Sequence, residues 1–302
     1  MSHVALQPSE PRPALRRRVS AALYRHPRAK LALVLGPPLG WMLIVYLGAL
    51  MLLFVSAFWR VDPFTSGIQR QWGLRNFRTL IDVPVYRTIA IRTTALAAAV
   101  TIADVGLAFP LAYYAARIAS AREKAVLLVA VVLPLWSSYL IRVFAWKLIL
   151  QGNGLLTWTF QKLGFGGLQI GSSYWGIWLV FTYLWLPFVA LPIYAALERI
   201  PASYLEASSD MGARGFATFR RVIWPLAFPG VVAGSIFSFS LTLGDYITPS
   251  LVGKTVFIGN VVYGNVGVAN NIPFAAAYAL VPVAIMAGYL FLARRLGAFE
   301  AL

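Results

Sequence analysis

The sequence predicts an all-α membrane protein of about six transmembrane helices, and three observations point that way. Of its 302 residues, 60% are apolar and 12% charged, against roughly half and a quarter in a soluble domain. Six apolar runs, near 35–58, 90–116, 125–150, 174–197, 226–247 and 275–293, reach the roughly 20 helical residues that cross a hydrocarbon core of about 30 Å. The net charge of +16 gathers in the segments between them, as membrane-bordering basic loops do. The runs do not alternate as barrel strands would, and a lone helix satisfies its own backbone in lipid.

These features set aside a soluble enzyme, and nucleic-acid binding is the weaker account of the charge. There is no Cys, and both His residues, His3 and His26, lie in the N-terminal tail. Disulfides, thiolate metal sites and Cys nucleophiles are thereby excluded, and no metal site is expected. No nucleophile–His–acid or paired-carboxylate arrangement suggests catalysis by this chain.

In chain order, residues 1–34 form a Pro- and Arg-rich tail. It is read as disordered and held near anionic lipid, with a short interfacial helix at 15–24 as the alternative. The first run is too long for a signal-peptide core, and no small-residue cleavage site follows, so it counts as a span. Spans to residue 297 make up the membrane domain, with a loop at 199–225, a second at 251–273 that is either an outer re-entrant gate or a docking loop, and a short tail at 298–302. Gly230 and Gly234 open the fifth span with the spacing that permits tight helix crossing. If the N-terminus is cytoplasmic, the inside segments hold sixteen Lys and Arg and the outside ones seven. That bias places both termini in the cytoplasm.

Gly253-Lys254-Thr255 ends like a phosphate-binding loop, but the pattern needs a Gly where Thr248 stands. A nucleotide site is rejected on that spacing. The loop at 199–225 is more informative. Ser203 is expected to cap a short helix, with Glu206 three residues on completing a capping box, and Gly212 is expected to stop it. A second amphipathic piece, 216–222, is expected to end before Pro225.

This loop resembles the EAA motif of ABC-transporter permease subunits: Glu-Ala-Ala, three residues, Gly, nine residues, Ile-x-Leu-Pro. Glu206, Ala207, Gly212 and Pro225 match at that spacing, while Ser208, Val222 and Trp224 replace Ala, Ile and Leu conservatively. The stretch from Pro134 through Arg142 to Trp146, and that from Leu243 through Asp245 and Tyr246 to Gly253, are similar to PotB-type permeases of spermidine/putrescine importers. The resemblance implies a type I ABC importer permease fold in the bacterial inner membrane. It also implies that the helix holding Ser203, Glu206, Ala207, Ser208, Gly212 and Ala213 is a coupling helix that fits a groove on an ABC ATPase dimer. Small residues Ala207, Ser208 and Gly212 would permit close approach, and Glu206 would hold the loop geometry. Arg214, Arg220 and Arg221 are either partner-facing or ordinary cytoplasmic positive charge. The implied partners are that ATPase dimer, which binds the ATP and Mg, a second permease of PotC-like type, a periplasmic solute-binding protein and membrane lipid. No cofactor is expected in this chain itself.

Ionisable groups inside spans face a cavity or each other. Two readings stand for each. Asp245, and less directly Asp104, attract a cationic solute, with Tyr246, Trp136 and Trp146 offering aromatic faces and Arg142 on the same path. Alternatively, Asp104 pairs with Arg142 and Asp245 with Arg92, and the tryptophans form an interfacial belt. The helical rise puts Asp104 and Arg142 about 9 Å apart in depth, so their pairing is an expectation of the sequence.

Overall fold

The computed structural model describes Tyr24 and residues 27–62, 64–164, 170–171 and 173–296. Most of the basic tail with its alternative helix at 15–24, and the C-terminal tail at 298–302, lie outside the described residues. The chain forms two compact units, Met1–Val55 and Ser56–Leu302. In the first, α1 (Pro27–Met42) continues through a π turn (Leu43–Leu47) into α2 (Gly48–Ser56). Its large apolar side chains, Trp41, Ile44 and Leu52 among them, are exposed, as suits a membrane-spanning helix that is apolar all round.

The second unit starts with a hairpin of two short strands, β1 (Arg60–Val61) and β2 (Ile68–Gln69), paired antiparallel with Arg60 opposite Gln69. Asp62 organises the turn: its carboxylate accepts from the Phe64 N–H at 2.8 Å and the Thr65 N–H at 3.2 Å. Those donors, Phe64 first, hold its carboxyl below the usual carboxylate range. Helix α3 (Arg75–Asp82) leads into α4 (Pro84–Arg117).

Helices α4, α8 (Tyr174–Glu198) and α11 (Trp224–Gly244) make the core. Small residues let them approach. Ala97, Ala108 and Ala112 of α4 are fully buried. A Cβ on Gly230 would lie 2.4 Å from the Ala196 Cβ, and one on Gly234 would lie 2.9 Å from Val189 Cα. The Gly230/Gly234 pair is thus the α8–α11 packing seam that its spacing suggests. Thr93, Thr101, Thr182 and Thr242 return their hydroxyls to carbonyls one turn back, which hides polar groups inside apolar packing.

Among the described residues, five helices are long and apolar enough to cross a membrane, or up to six counting one bent pair as a span. That pair corrects the expected continuous third span. Helix α5 (Ala121–Val132) passes through a 3₁₀ turn (Leu133–Trp136) and is followed by α6 (Tyr139–Leu150) and α7 (Leu155–Lys162), with a bend of 96°. Pro134 cannot donate to the helix ladder, and extended Ser137 (ψ 150°) breaks it, its hydroxyl bonding back to the Pro134 carbonyl at 2.7 Å. Hydropathy cannot register such a break, because every residue around it is apolar or small.

The fifth span also begins earlier than expected. Helix α10 (Gly215–Thr218) runs through a π turn (Phe219–Ile223) directly into α11. Pro225 falls in the first turn of α11, where a missing N–H is tolerated, so it does not terminate the helix. After α11 come α12 (Ile247–Val252), α13 (Ile258–Gly267) and α14 (Ile272–Arg295). Most of the loop at 251–273 is therefore helical.

Candidate functional site

Two regions assemble the residues singled out above: a hairpin built on α9 (Ala202–Asp210) and a cavity beside Asp245.

In the hairpin, Pro201 rather than Ser203 occupies the N-cap, and no side chain caps the helix. This corrects the expected capping box. Pro201 has φ −63°, which its ring fixes, and its carbonyl already takes the Tyr204 N–H at 3.2 Å, so Ser203 sits inside the first turn. The stop is as expected. Gly212 has φ +76°; its N–H bonds to the Ser209 carbonyl at 2.8 Å, and the Ala213 N–H bonds to the Ser208 carbonyl at 3.1 Å. This is a Schellman closure.

The side chains divide differently from the expectation. Ser208 is 3% exposed and turns inward, its hydroxyl 2.9 Å from that of Thr218. It clasps the two arms together instead of offering a small surface to a partner. Glu206 makes no side-chain hydrogen bond among the described residues; its carbonyl accepts from Ser209, and its carboxylate faces outward. Backbone closure and the hydroxyl clasp hold the geometry assigned to it. Ala207 and Gly212 are exposed, beside exposed Tyr204, Met211 and Phe216. Such a small-and-apolar surface suits a docking groove. Arg214, Arg220 and Arg221 are exposed.

The base of the hairpin is tied to other helices. Arg117, the last residue of α4, donates from Nη2 to the Leu197 carbonyl and, at 2.6 Å, to that of Ile200. Lys124 of α5 pairs with Glu198 and lies over the Tyr194 ring.

The cavity, of about 340 Å³, is lined by Tyr139, Trp185, Ser240, Asp245 and Tyr246 among others. Asp245 follows α11 and accepts four hydrogen bonds. Its Oδ1 takes the Ile247 N–H at 2.7 Å and the Thr248 N–H at 3.2 Å; its Oδ2 takes the Thr248 hydroxyl at 2.9 Å and the Tyr139 hydroxyl. Tyr139 and Trp185 stack at 6.1 Å and 10°, and Tyr246 stacks on Tyr263 at 4.3 Å. The Trp185 indole nitrogen is buried without a partner among the described residues. A carboxylate rimmed by aromatic faces is the chemistry that holds an organic cation.

Neither the expected Asp104–Arg142 pair nor the alternative Asp245–Arg92 pair forms among the described residues. Arg92 lies over the Tyr174 ring at 5.8 Å, while Asp245 is engaged as above. Asp104 is 0% exposed between α4 and α11, where it accepts from Ser238 at 2.5 Å and keeps Oδ1 unpartnered. Arg142 keeps Nε and Nη1 buried and unpartnered. Similar depth along straight helices does not bring Asp104 and Arg142 together, because the third span bends by 96°. Trp136 is 88% exposed on the 3₁₀ turn, and Trp146 packs on Tyr183 at 5.3 Å; neither lines the cavity. Tyr139 and Trp185 do, and sequence reasoning gave them no role. Tyr139 sits three residues before Arg142 in a stretch already set apart, whereas Trp185 lies in an unbroken apolar run that carries no signal.

The family model for the inner membrane component of binding-protein-dependent transport systems matches residues 101–299, which hold both the hairpin and the cavity. The chain belongs to this family. It is a permease subunit of an ABC importer. The inner membrane ABC transporter permease protein YdcU of Escherichia coli (strain K12) is 46% identical over 308 residues, covering 97% of this chain and 98% of the relative. The spermidine/putrescine transport system permease protein PotB of the same organism is 29% identical over 252 residues, covering 82% and 90%. Among solved structures, a bacterial ABC transporter involved in the import of the acidic polysaccharide alginate matches with a TM-score of 0.69 at 17% identity, covering 92% of this chain and 99% of that one. At that identity the likeness concerns the fold alone.

Proposed function

We propose that this permease moves a small organic cation of polyamine type inward, and that the Asp245 cavity lies on its path. The observation that carries this is the carboxylate set among the rings of Tyr139, Trp185 and Tyr246. The similarity to a spermidine/putrescine permease supports it. The same architecture would serve an opine, an amino-acid derivative, a phosphonate or a ferric ion, but among the described residues no cation lines this cavity to hold an anion.

In this reading the solute arrives on a periplasmic binding protein. A PotC-like second permease completes the path, because one hairpin of this kind cannot serve two ATPase subunits. ATP and Mg are bound by the ATPase dimer, and hydrolysis takes place there. The hairpin follows the ATPases as they close, and the spans rock so that the cavity opens outward and then inward. Both termini and the hairpin face the cytoplasm; residues 59–87 and 248–274 face outward.

The test is uptake of labelled putrescine by the full complex in proteoliposomes with its binding protein. ATP-dependent accumulation that unlabelled spermidine inhibits is the expected result. Accumulation of an anionic solute in its place would reject the cation reading.

A further inference from the structure

The proposed coupling role of the hairpin leaves open how its motion reaches the spans, and the structure offers one specific joint. The last carbonyls of a helix have no partner within it. At the end of α8, the Leu197 carbonyl, which also takes the Ile200 N–H at 3.3 Å, and the Ile200 carbonyl, two residues past the helix, both accept from one nitrogen of Arg117, which belongs to α4. Ile200 adjoins Pro201, the N-cap of α9, so the guanidinium grips the residue just before the one from which the coupling helix starts.

The other end of this lever is equally defined. Helix α4 is continuous from Pro84 to Arg117, and at helical rise Asp104 lies about 20 Å along it from Arg117. There Asp104 takes the hydroxyl of Ser238 on α11, whose end carries Asp245. The Lys124–Glu198 pair beside Arg117 is a second tie, but its side chains are 33% and 47% exposed, and a solvated pair holds weakly. The half-buried Arg117, with two carbonyls on one nitrogen, is the firmer link.

We infer that Arg117 is a positioning residue that couples movement of the α9 hairpin to α4, and through α4 to the cavity. This rests on the hairpin being the ATPase-docking element. A helix cap alone would serve stability; a coupling joint also governs whether the cavity responds to ATP.

The chain has no cysteine, so Ser240→Cys places a single thiol in the cavity wall. In the full complex with its ATPase and companion permease, the labelling rate of that thiol is read with and without Mg-ATP. No transported solute is needed. In the parent the rate changes with ATP. Adding Arg117→Gln abolishes that change while the complex assembles and ATP hydrolysis persists; Arg117→Lys, whose ammonium can donate to both carbonyls, restores it.

An undiminished ATP response in Arg117→Gln overturns the inference and leaves the proposed function standing. No response in the parent defeats the cavity-and-coupling reading itself, and the inference with it. Loss of assembly in both Arg117→Gln and Arg117→Met reduces Arg117 to a structural cap, which also overturns the inference.

Discussion

The hydroxyl of Ser208 lies 2.9 Å from that of Thr218, so one hydrogen bond joins the α9 helix to the segment that leads into α11. Ser208 is 3% exposed, and a buried hydrogen bond of this kind contributes about 0.5–1.5 kcal/mol. Ser208→Ala is expected to loosen the hairpin without unfolding the spans. Hydrogen exchange at residues 203–218 should rise several-fold, by roughly tenfold if about 1.4 kcal/mol is lost. Unchanged exchange would remove the clasp from the account.

Gly212 at φ +76° has open space where a Cβ would go. A substitution there meets no atom of this chain and is felt through backbone strain of about 1 kcal/mol and at the docking surface. Gly212→Leu should insert normally and fail to co-purify the ATPase. Gly212→Asn, which tolerates this backbone region, should keep much of the docking. Equal co-purification from all three chains would count against the coupling-helix reading.

Asp245→Asn keeps the shape of the side chain and removes its charge. The amide can still accept the Ile247 and Thr248 N–H groups at one oxygen, but its nitrogen cannot accept the Tyr139 and Thr248 hydroxyls. Putrescine uptake should fall more than tenfold, on the order of the 1.5–3 kcal/mol carried by a hydrogen bond to a charged group. Tyr139→Phe should fall less, since the carboxylate remains. Assembly is measured on the same samples, and full uptake at full assembly in Asp245→Asn would make the carboxylate a turn-forming group only.

Gly230 and Gly106 offer a matched contrast on two spans. A Cβ at Gly230 would press within 2.4 Å of Ala196, whereas one at Gly106 meets nothing within 4 Å. Gly230→Ala is expected to destabilise by about 1–3 kcal/mol through overpacking. Gly106→Ala should be neutral or stabilising by up to about 1 kcal/mol through helix propensity. Thermal unfolding in detergent compares them, and equal midpoints would refute the seam.

Orientation is read most directly at the hairpin. Asp210→Cys should resist an impermeant thiol reagent in intact cells and label in inverted vesicles. Labelling from outside would reverse the proposed topology.

The class of this protein was legible because long apolar runs and loop charge are one-dimensional properties. The hairpin was legible through fixed spacing, from Glu206 to Gly212 to Pro225, and the left-handed turn at Gly212 followed from residue type. The roles inside that hairpin were not. Ser203, Glu206 and Ser208 look like cap, cap partner and small surface residue along the chain. Pro201 instead starts the helix, the Glu206 carboxylate faces outward, and Ser208 finds Thr218 across the turn.

The membrane charges mark the same boundary. That Asp104, Arg142 and Asp245 lie in or beside apolar spans is readable along the chain, because a charge in such a run is visible wherever it occurs. Which groups meet them was decided by the tertiary structure: Ser238 for Asp104, and Tyr139 with Thr248 for Asp245. A bend of 96° in the third span redirects α6, and hydrogen bonds that act over about 3 Å depend on such directions far more than on the depth of a residue along its helix.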